Sequence, residues 1–304
     1  MSASTSWPTG LLPALVTPLH DDELDVPALG QLIERHVGAG VSGLVIGGGT
    51  GEFGALSLDE RRALAEETIR LVAGRVPVVV QTGALATRDT IALSRHAQQI
   101  GAFGLLVASP FGEPINWAER FRFYEHVTAG VDLPIMIYNT PPAGILTIEQ
   151  VRQLAVLPNV SAIKDSSGDT TLLGDLLLPS SGGLDVFVGS DSFLPYAIAG
   201  GANGAVFGAA SFIPDVVVQM IDRLRTAPND ERTQQLWREL RSFLRFMEQS
   251  PNYVALCKAG CGLEGLAVGD VRAPYLMPSE KEVGELAERL TALRAVFGAV
   301  TAAP

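Results

Sequence analysis

Lys164 is the residue of this sequence with the clearest potential for chemistry. It is one of three lysines in the chain, and it ends the apolar run at residues 160–163, which is typical of a short buried strand. A lysine at such a strand end is costly unless it is paired or neutral. Burial lowers the pKa of a lysine, and a neutral amine is a nucleophile that can form an imine with a carbonyl compound. The alternative is a structural lysine paired with Asp165 or Asp169.

The elements that must position Lys164 follow a regular rhythm along the chain. Short runs rich in Val, Ile and Leu alternate with amphipathic segments, and runs that are apolar on both faces are typical of buried parallel strands. Strands are predicted at residues 11–16, 43–48, 77–82, 104–109, 134–138, 160–164, 185–189 and 204–208. Helices are predicted at residues 26–39, 57–73, 87–99, 116–129, 147–155, 170–178, 192–199 and 213–224. Eight strand–helix units predict an α/β fold, a (β/α)8 TIM barrel, with a doubly wound open sheet as the alternative.

The pattern changes after Arg225. No further strand is predicted, and three helices are expected at residues 228–249, 252–260 and 279–297. We therefore predict a catalytic (β/α)8 barrel domain at residues 1–225. A C-terminal helical extension at residues 226–304 is expected to pack on it.

Active sites of such barrels lie at the C-terminal ends of the strands. The second predicted strand ends in the glycine-rich residues 47–52, whose backbone N–H groups and Thr50 hydroxyl can bind an anion such as a carboxylate. A purely structural tight turn is the alternative. Tyr138 ends the strand before that of Lys164, so a phenol able to move the protons of imine chemistry is expected at the same mouth. Core packing alone is the alternative for Tyr138.

Composition and charge argue against several classes of protein. The net charge is −11 and no block of five or more Lys and Arg occurs, so binding to nucleic acid is not expected. Neither a membrane span nor a secretory signal is evident, which favours a cytoplasmic protein. Cys257 and Cys261 have no histidine nearby and are predicted to be buried thiols, and no histidine pair has the spacing of metal ligands.

Three motifs at these strand ends resemble a known family. They are Gly49-Thr50-Gly51-Glu52, Tyr138-Asn139-Thr140-Pro141 and Ile163-Lys164-Asp165. Together they resemble the dihydrodipicolinate synthase / N-acetylneuraminate lyase superfamily of class I aldolases, over nearly the whole chain.

The resemblance implies a Schiff base between Lys164 and pyruvate or another 2-oxo acid, with Tyr138 as the general acid/base. It also implies that Gly49 and Thr50 bind the carboxylate of the 2-oxo acid and that the main-chain carbonyl of Val206 orients the site. Members of the superfamily need no metal or organic cofactor, and commonly form homotetramers built as dimers of dimers.

The chain departs from the synthases of this superfamily at three places. Synthases have a second threonine where this chain has Gly49, and a tyrosine pair where it has Phe111 and Gly112. They also have an arginine near the segment at residues 142–145, which contains none here. The glycine-rich run instead resembles that of sugar-acid dehydratases, although their downstream motifs differ.

We therefore expect a lyase that cleaves or dehydrates a 2-oxo acid, as a pyruvate-type aldolase or a 2-keto-3-deoxy sugar-acid aldolase or dehydratase. One alternative is a 4-hydroxy-tetrahydrodipicolinate synthase, which condenses pyruvate with aspartate semialdehyde. The second alternative is a non-catalytic 2-oxo-acid-binding protein on the same barrel, because a fold alone does not establish an activity.

Overall fold

The computed structural model describes residues 6–298, and its centre is a ring of eight parallel strands. In chain order, the eight ring strands and one short hairpin (β2 and β3) are β1 (Gly10–Leu11), β2 (Leu19–His20), β3 (Glu23–Leu24), β4 (Leu44–Ile46), β5 (Val78–Gln81), β6 (Gly104–Ala108), β7 (Ile135–Asn139), β8 (Val160–Asp165), β9 (Asp185–Val188) and β10 (Gly204–Ala205). Neighbours in the sheet follow the order β1-β10-β9-β8-β7-β6-β5-β4. A parallel bridge between Ala14, just after β1, and Val45 in β4 joins the two ends of the sheet. The predicted barrel is therefore confirmed, and the open sheet is excluded.

Eleven α-helices are described within residues 6–298, and the first eight alternate with the ring strands. They are α1 (Val26–Gly38), α2 (Leu58–Val72), α3 (Thr87–Gln99), α4 (Trp117–Thr128), α5 (Ile148–Leu154), α6 (Thr170–Leu176), α7 (Leu194–Ala199), α8 (Pro214–Thr226), α9 (Glu231–Gln249), α10 (Tyr253–Leu263) and α11 (Glu280–Phe297). The predicted capping box before α2 is present. The Ser57 hydroxyl accepts from the N–H of Glu60, whose carboxylate accepts from the N–H of Ser57. Such reciprocal bonds satisfy N–H groups that a helix start leaves free.

Two apolar layers hold the barrel together. The inner layer fills the ring with one side chain from most strands, including Val45, Met136, Phe187 and Val206. The outer layer lies between the strands and the helices. Because both faces of each strand are covered, the strands have the continuous apolar runs that the sequence shows.

Trp7 closes the N-terminal end of the ring. Its indole N–H donates to the Ser161 hydroxyl at 2.9 Å, and its ring packs edge-on against Phe103 at a centroid distance of 5.3 Å. Ser161 lies at the start of β8 and Phe103 directly precedes β6, so the bulk of the indole fills that end. The opposite end, where the strands finish, is left for a cavity.

The last three helices form the C-terminal extension. Helix α9 packs against α8 and α11, and Cys257 and Cys261 of α10 are both buried, as expected. The domain boundary at residue 225 stays a prediction; α8 ends at Thr226. None of the described helices combines the length and the apolar character that crossing a membrane would require.

The hairpin of β2 and β3 is the one described strand pair that the sequence pattern did not predict. Each strand has two residues, which is too short for an alternating pattern. Its turn uses Asp21 and Asp22 at φ 50° and 66°. Aspartate adopts this left-handed conformation more readily than most residues do.

Candidate active site

A cavity of about 600 Å³ opens at the C-terminal end of the ring. Its wall contains residues from the ends of β4 to β10 and from the starts and ends of the later helices. Of the residues predicted for the site, Gly49, Thr50, Tyr138 and Lys164 line this cavity, and Val206 does not. The volume suits a small organic molecule.

Lys164 lies on the cavity wall with only 6% of its surface exposed. The two acids proposed as structural partners are both engaged elsewhere. Asp165 accepts hydrogen bonds from the Asn139 amide at 2.7 Å and the Ser167 hydroxyl at 2.9 Å. Asp169 caps α6 by accepting from the N–H of Thr171. Within residues 6–298, no carboxylate forms a salt bridge with Lys164, so the structure does not support a purely structural ion pair for this lysine.

Tyr138 lies beside Lys164 because the two residues are paired in the β7–β8 ladder, after a register shift between Ile135 and Met136. Tyr138 is directly opposite Lys164 in the ladder, and the lysine Nζ is 4.3 Å from the centre of the phenol ring. Burial opposes ionisation of the phenol. The charge of Lys164 and interactions of the hydroxyl with Thr140, Ser166 and Lys164 outweigh burial, so the pKa of Tyr138 is lowered from its usual value. A phenol that ionises more easily is better able to exchange protons near neutral pH.

Asn139 fixes the strand end that carries Tyr138. Its amide N–H donates to Asp165, and its carbonyl accepts from the N–H of Leu146 at 2.9 Å. The side chain therefore ties β7 to β8 and to the loop after β7 at the same time. This explains in physical terms why the tyrosine of the motif is followed by asparagine.

Gly189 leaves the room that the Lys164 side chain occupies. A Cβ atom at position 189 would lie 2.8 Å from Lys164 Cε and would overlap Ser166 Oγ. Real Cβ atoms are not found so close to other atoms. Any side chain at this position would therefore displace the lysine or the serine.

The glycine-rich turn after β4 forms another part of the cavity wall. The backbone of the turn bends tightly. Gly47 has φ 60°, and the N–H of Glu52 donates to the Gly49 carbonyl at 3.0 Å. The Thr17 hydroxyl holds the turn from outside by donating to the Gly51 carbonyl at 2.7 Å. Gly49 is exposed and Thr50 is largely buried, and both face the cavity.

Val206 lies next to the cavity rather than in its wall. Its side chain belongs to the inner apolar layer, and its N–H donates to the Val188 carbonyl at 2.8 Å. The following residues, Phe207 and Gly208, do line the cavity. A Cβ at position 208 would lie 2.6 Å from the Thr50 hydroxyl oxygen, so glycine is needed there for Thr50 to keep its position.

Several cavity residues had no role in the sequence prediction. Asp191, after β9, is buried and accepts a hydrogen bond from the Tyr253 hydroxyl at 2.7 Å. Burial, reinforced by the charge of Glu248, raises the pKa of Asp191 well above its usual value. Glu248 reaches the cavity from the end of α9, where both the backbone N–H and the hydroxyl of Ser192 donate to it. Asp191 follows a strand end, so its position in the sequence could have indicated that it belongs to the site. Nothing in the sequence around Glu248 or Tyr253 indicates this for them.

Several positions that differ from the synthase pattern also lie at this cavity, although Gly112 does not line it. Phe111 packs edge-on against Phe53 at 5.4 Å, which forms an apolar wall without a hydroxyl. The loop at residues 140–144 contributes Thr140, Pro142 and Ala143. An arginine does approach this loop: Arg120 of α4 donates to the Gly144 carbonyl at 3.0 Å, but it does not line the cavity.

Comparisons with known proteins agree with this geometry. The model of the dihydrodipicolinate synthetase family matches residues 7–293. A protein of Exiguobacterium sibiricum named 4-hydroxy-tetrahydrodipicolinate synthase is 34% identical over 290 residues, which cover 94% of this chain and 98% of that protein.

Solved structures are similar over nearly the whole chain as well. A protein of Pseudomonas aeruginosa described as a putative dihydrodipicolinate synthetase has a TM-score of 0.89 and 30% identity, covering 94% of this chain and 99% of that one. YagE, an E. coli prophage protein of the same family solved in complex with pyruvate, has a TM-score of 0.88 and 31% identity, covering 94% and 98%. The chain thus belongs to the dihydrodipicolinate synthetase family and is an enzyme of the Schiff-base, class I aldolase type.

Proposed function

We propose that this enzyme cleaves or dehydrates a 2-oxo acid bound to Lys164 as an imine, as a pyruvate-type aldolase or a 2-keto-3-deoxy sugar-acid aldolase or dehydratase. The observation that carries the proposal is the pairing, on adjacent strands, of a phenol of lowered pKa and a buried lysine that has no carboxylate partner within residues 6–298. The Lys164 amine attacks the C2 carbonyl, and the carbonyl oxygen leaves as water. The protonated imine then accepts the electrons released when a bond breaks beyond C2.

We assign the following roles to the predicted site residues in this reaction. Tyr138 moves the protons of imine formation and hydrolysis, and it accepts the proton that the substrate releases when its bond breaks. Gly49 and Thr50 bind the carboxylate of the 2-oxo acid through backbone N–H groups and a hydroxyl. The main-chain carbonyl of Val206 orients the site. No metal or organic cofactor is required, and we propose a cytoplasmic homotetramer built as a dimer of dimers.

The charged residues of the cavity favour a substrate that is neutral at the end opposite its 2-oxo acid group, which we call the far end. Among the described residues that line the cavity, Lys164 is the one cation, and Asp191 and Glu248 are the acids. A carboxylate at the far end would find no guanidinium and would lie near an acid, whereas hydroxyl groups can donate to such acids. Charge-assisted bonds are the strong ones, so the missing cation weighs against aspartate semialdehyde.

The condensing synthase is the second candidate. It is favoured by the names of the relatives, which are called 4-hydroxy-tetrahydrodipicolinate synthase at 34% and 31% identity. It is disfavoured by Phe111 and by the position of Arg120 outside the cavity wall. A non-catalytic binding protein is disfavoured by the family and by the retention of Lys164 and Tyr138 side by side.

Trapping with borohydride tests the role of Lys164. Incubation with pyruvate and borohydride should add one reduced pyruvyl group, located by mass spectrometry on the peptide that contains Lys164. Lys164→Ala should take up none. A group on Lys258 or Lys281 instead, or no adduct with any 2-oxo acid in the wild type, would refute the mechanism.

The space at Gly189 can be tested by a matched pair of glycine variants. Gly189→Ala places a Cβ 2.8 Å from Lys164 Cε, and a displacement of about 1 Å can cost on the order of 10²-fold in rate. Gly284→Ala in α11 meets no atom within 4 Å and should leave the rate unchanged. The rate of imine trapping is compared between the two variants, and circular dichroism checks that both are folded. Equal trapping rates would show that imine formation does not depend on the observed position of Lys164.

Tyr138→Phe removes the hydroxyl and keeps the ring, so packing should survive. We expect kcat to fall by roughly 10²–10⁴-fold, the usual contribution of one acid/base group. Because the pKa of Tyr138 is lowered, the wild type should also form phenolate at a lower pH than the variant does in an ultraviolet absorbance titration. A kcat within about threefold of wild type would contradict the assigned role.

A substrate panel separates the lyase from the synthase. We expect pyruvate release or dehydration with at least one hydroxylated 2-oxo acid, and little turnover of pyruvate with aspartate semialdehyde in a coupled assay. Glu248→Gln should raise KM for the hydroxylated substrate, since a hydroxyl acceptor at the far end is weakened. Condensation with kcat/KM above about 10⁴ M⁻¹s⁻¹, the low end for ordinary enzymes, would establish the synthase instead.

A further inference from the structure

A buried ion pair lies directly behind the carboxylate-binding turn. Glu52, two residues after Thr50, points its side chain into the protein, and its Oε1 is 2.8 Å from the Nζ of Lys258 in α10. Both side chains are fully buried. Burial lowers the pKa of Lys258, whereas the attraction of Glu52 opposes the change. Neither residue lines the cavity, so neither has a part in the proposed chemistry.

The pair also holds the chain segment at residues 270–275. Lys258 donates to the Asp270 carbonyl at 2.6 Å, and the second oxygen of Glu52 accepts from the backbone N–H of Arg272 at 2.7 Å. The Arg272 guanidinium then binds the Ala55 carbonyl at 3.1 Å, just beyond the turn. Three residues later, Tyr275 forms part of the cavity wall.

The backbone of Glu52 needs this support. Its φ is 58°, in the left-handed region that residues other than glycine rarely adopt. Such conformations persist where the surroundings fix them, and they occur often at ligand sites. Here the Glu52 carboxylate is fixed by two groups outside the turn. Lys258 pairs with one oxygen, and the backbone N–H of Arg272 donates to the other.

We propose that Glu52 and Lys258 are positioning residues, which hold the Gly49–Thr50 turn and the Tyr275 segment together so that the turn is shaped for the carboxylate of the 2-oxo acid. The pair acts on substrate binding and leaves the imine chemistry of Lys164 unchanged. It also gives Lys258 a role other than that of a nucleophile. This inference rests on the proposed function, because its kinetic test measures KM for a 2-oxo acid.

Kinetics of charge-neutral variants test the proposal. Glu52→Gln and Lys258→Met each leave one buried charge unpaired, and we expect KM for the 2-oxo acid to rise by about tenfold to a hundredfold with kcat within about threefold. The double variant removes both charges, so its increase in KM should be smaller than the product of the single increases. If a single variant folds poorly, the double variant carries the test: its KM should still exceed that of the wild type, with kcat within about threefold.

The matched control is Asp215→Asn. It breaks the partly buried ion pair with Arg294, at 2.5 Å, whose members do not line the cavity. It should lower the thermal stability and leave KM unchanged. If Glu52 and Lys258 have a merely structural role, their variants should behave like the control, with lower thermal stability and unchanged KM. That outcome would overturn the proposal. A fall in kcat at constant KM would also overturn it.

Hydrogen exchange gives a readout that needs no substrate. In Glu52→Gln and Lys258→Met, exchange should become faster in both peptides that the pair joins, those covering residues 47–55 and 268–277, and not in the Asp215→Asn control. Unchanged exchange in either peptide would overturn the inference even if the wild type forms the imine. If the wild type forms no imine with any 2-oxo acid, the proposed function fails, and the exchange data still decide whether the pair couples the two segments.

Discussion

The register between β7 and β8 places the Tyr138 phenol opposite the Lys164 amine, and the chemistry of the cavity depends on this pairing. The register is fixed from both sides. Continuous apolar runs bury each strand between the two layers of the barrel, and the Asn139–Asp165 hydrogen bond joins the strand ends. A slip of one strand by one residue would send its side chain, Tyr138 or Lys164, to the opposite face of the sheet. The phenol and the amine would then no longer share the cavity.

The arrangement of acids around this pair has a chemical consequence. Asp165 and Asp169 are next to Lys164 in sequence, but both bind other groups, so the amine faces the phenol and the cavity instead of a carboxylate. Glycine at position 189 gives the lysine its space. The acids that line the cavity are Asp191 and Glu248. In the proposed reaction, imine formation at Lys164 is combined with recognition of substrate hydroxyl groups by these acids.

The sequence was sufficient to predict the barrel, because buried parallel strands and amphipathic helices leave patterns in every unit. It was also sufficient to place Lys164, Tyr138 and Thr50 at one end of the barrel. All three lie at or just after the C-terminal ends of parallel strands, and those ends meet at the same edge of the sheet. Glu248, Tyr253 and Arg120 were out of reach, because their positions depend on how helices pack onto the barrel. The two-residue strands of the β2–β3 hairpin are too short to leave a pattern. The assigned roles of the site residues stay predictions until they are measured.

A crystal structure of the protein with pyruvate tests the central claim most directly. It should show continuous electron density from Lys164 Nζ to C2 of pyruvate, with the carboxylate on the Gly49–Thr50 turn and the Tyr138 hydroxyl beside the new bond. Pyruvate bound without a covalent link to Lys164, or with its carboxylate away from that turn, would contradict the proposed chemistry of this cavity.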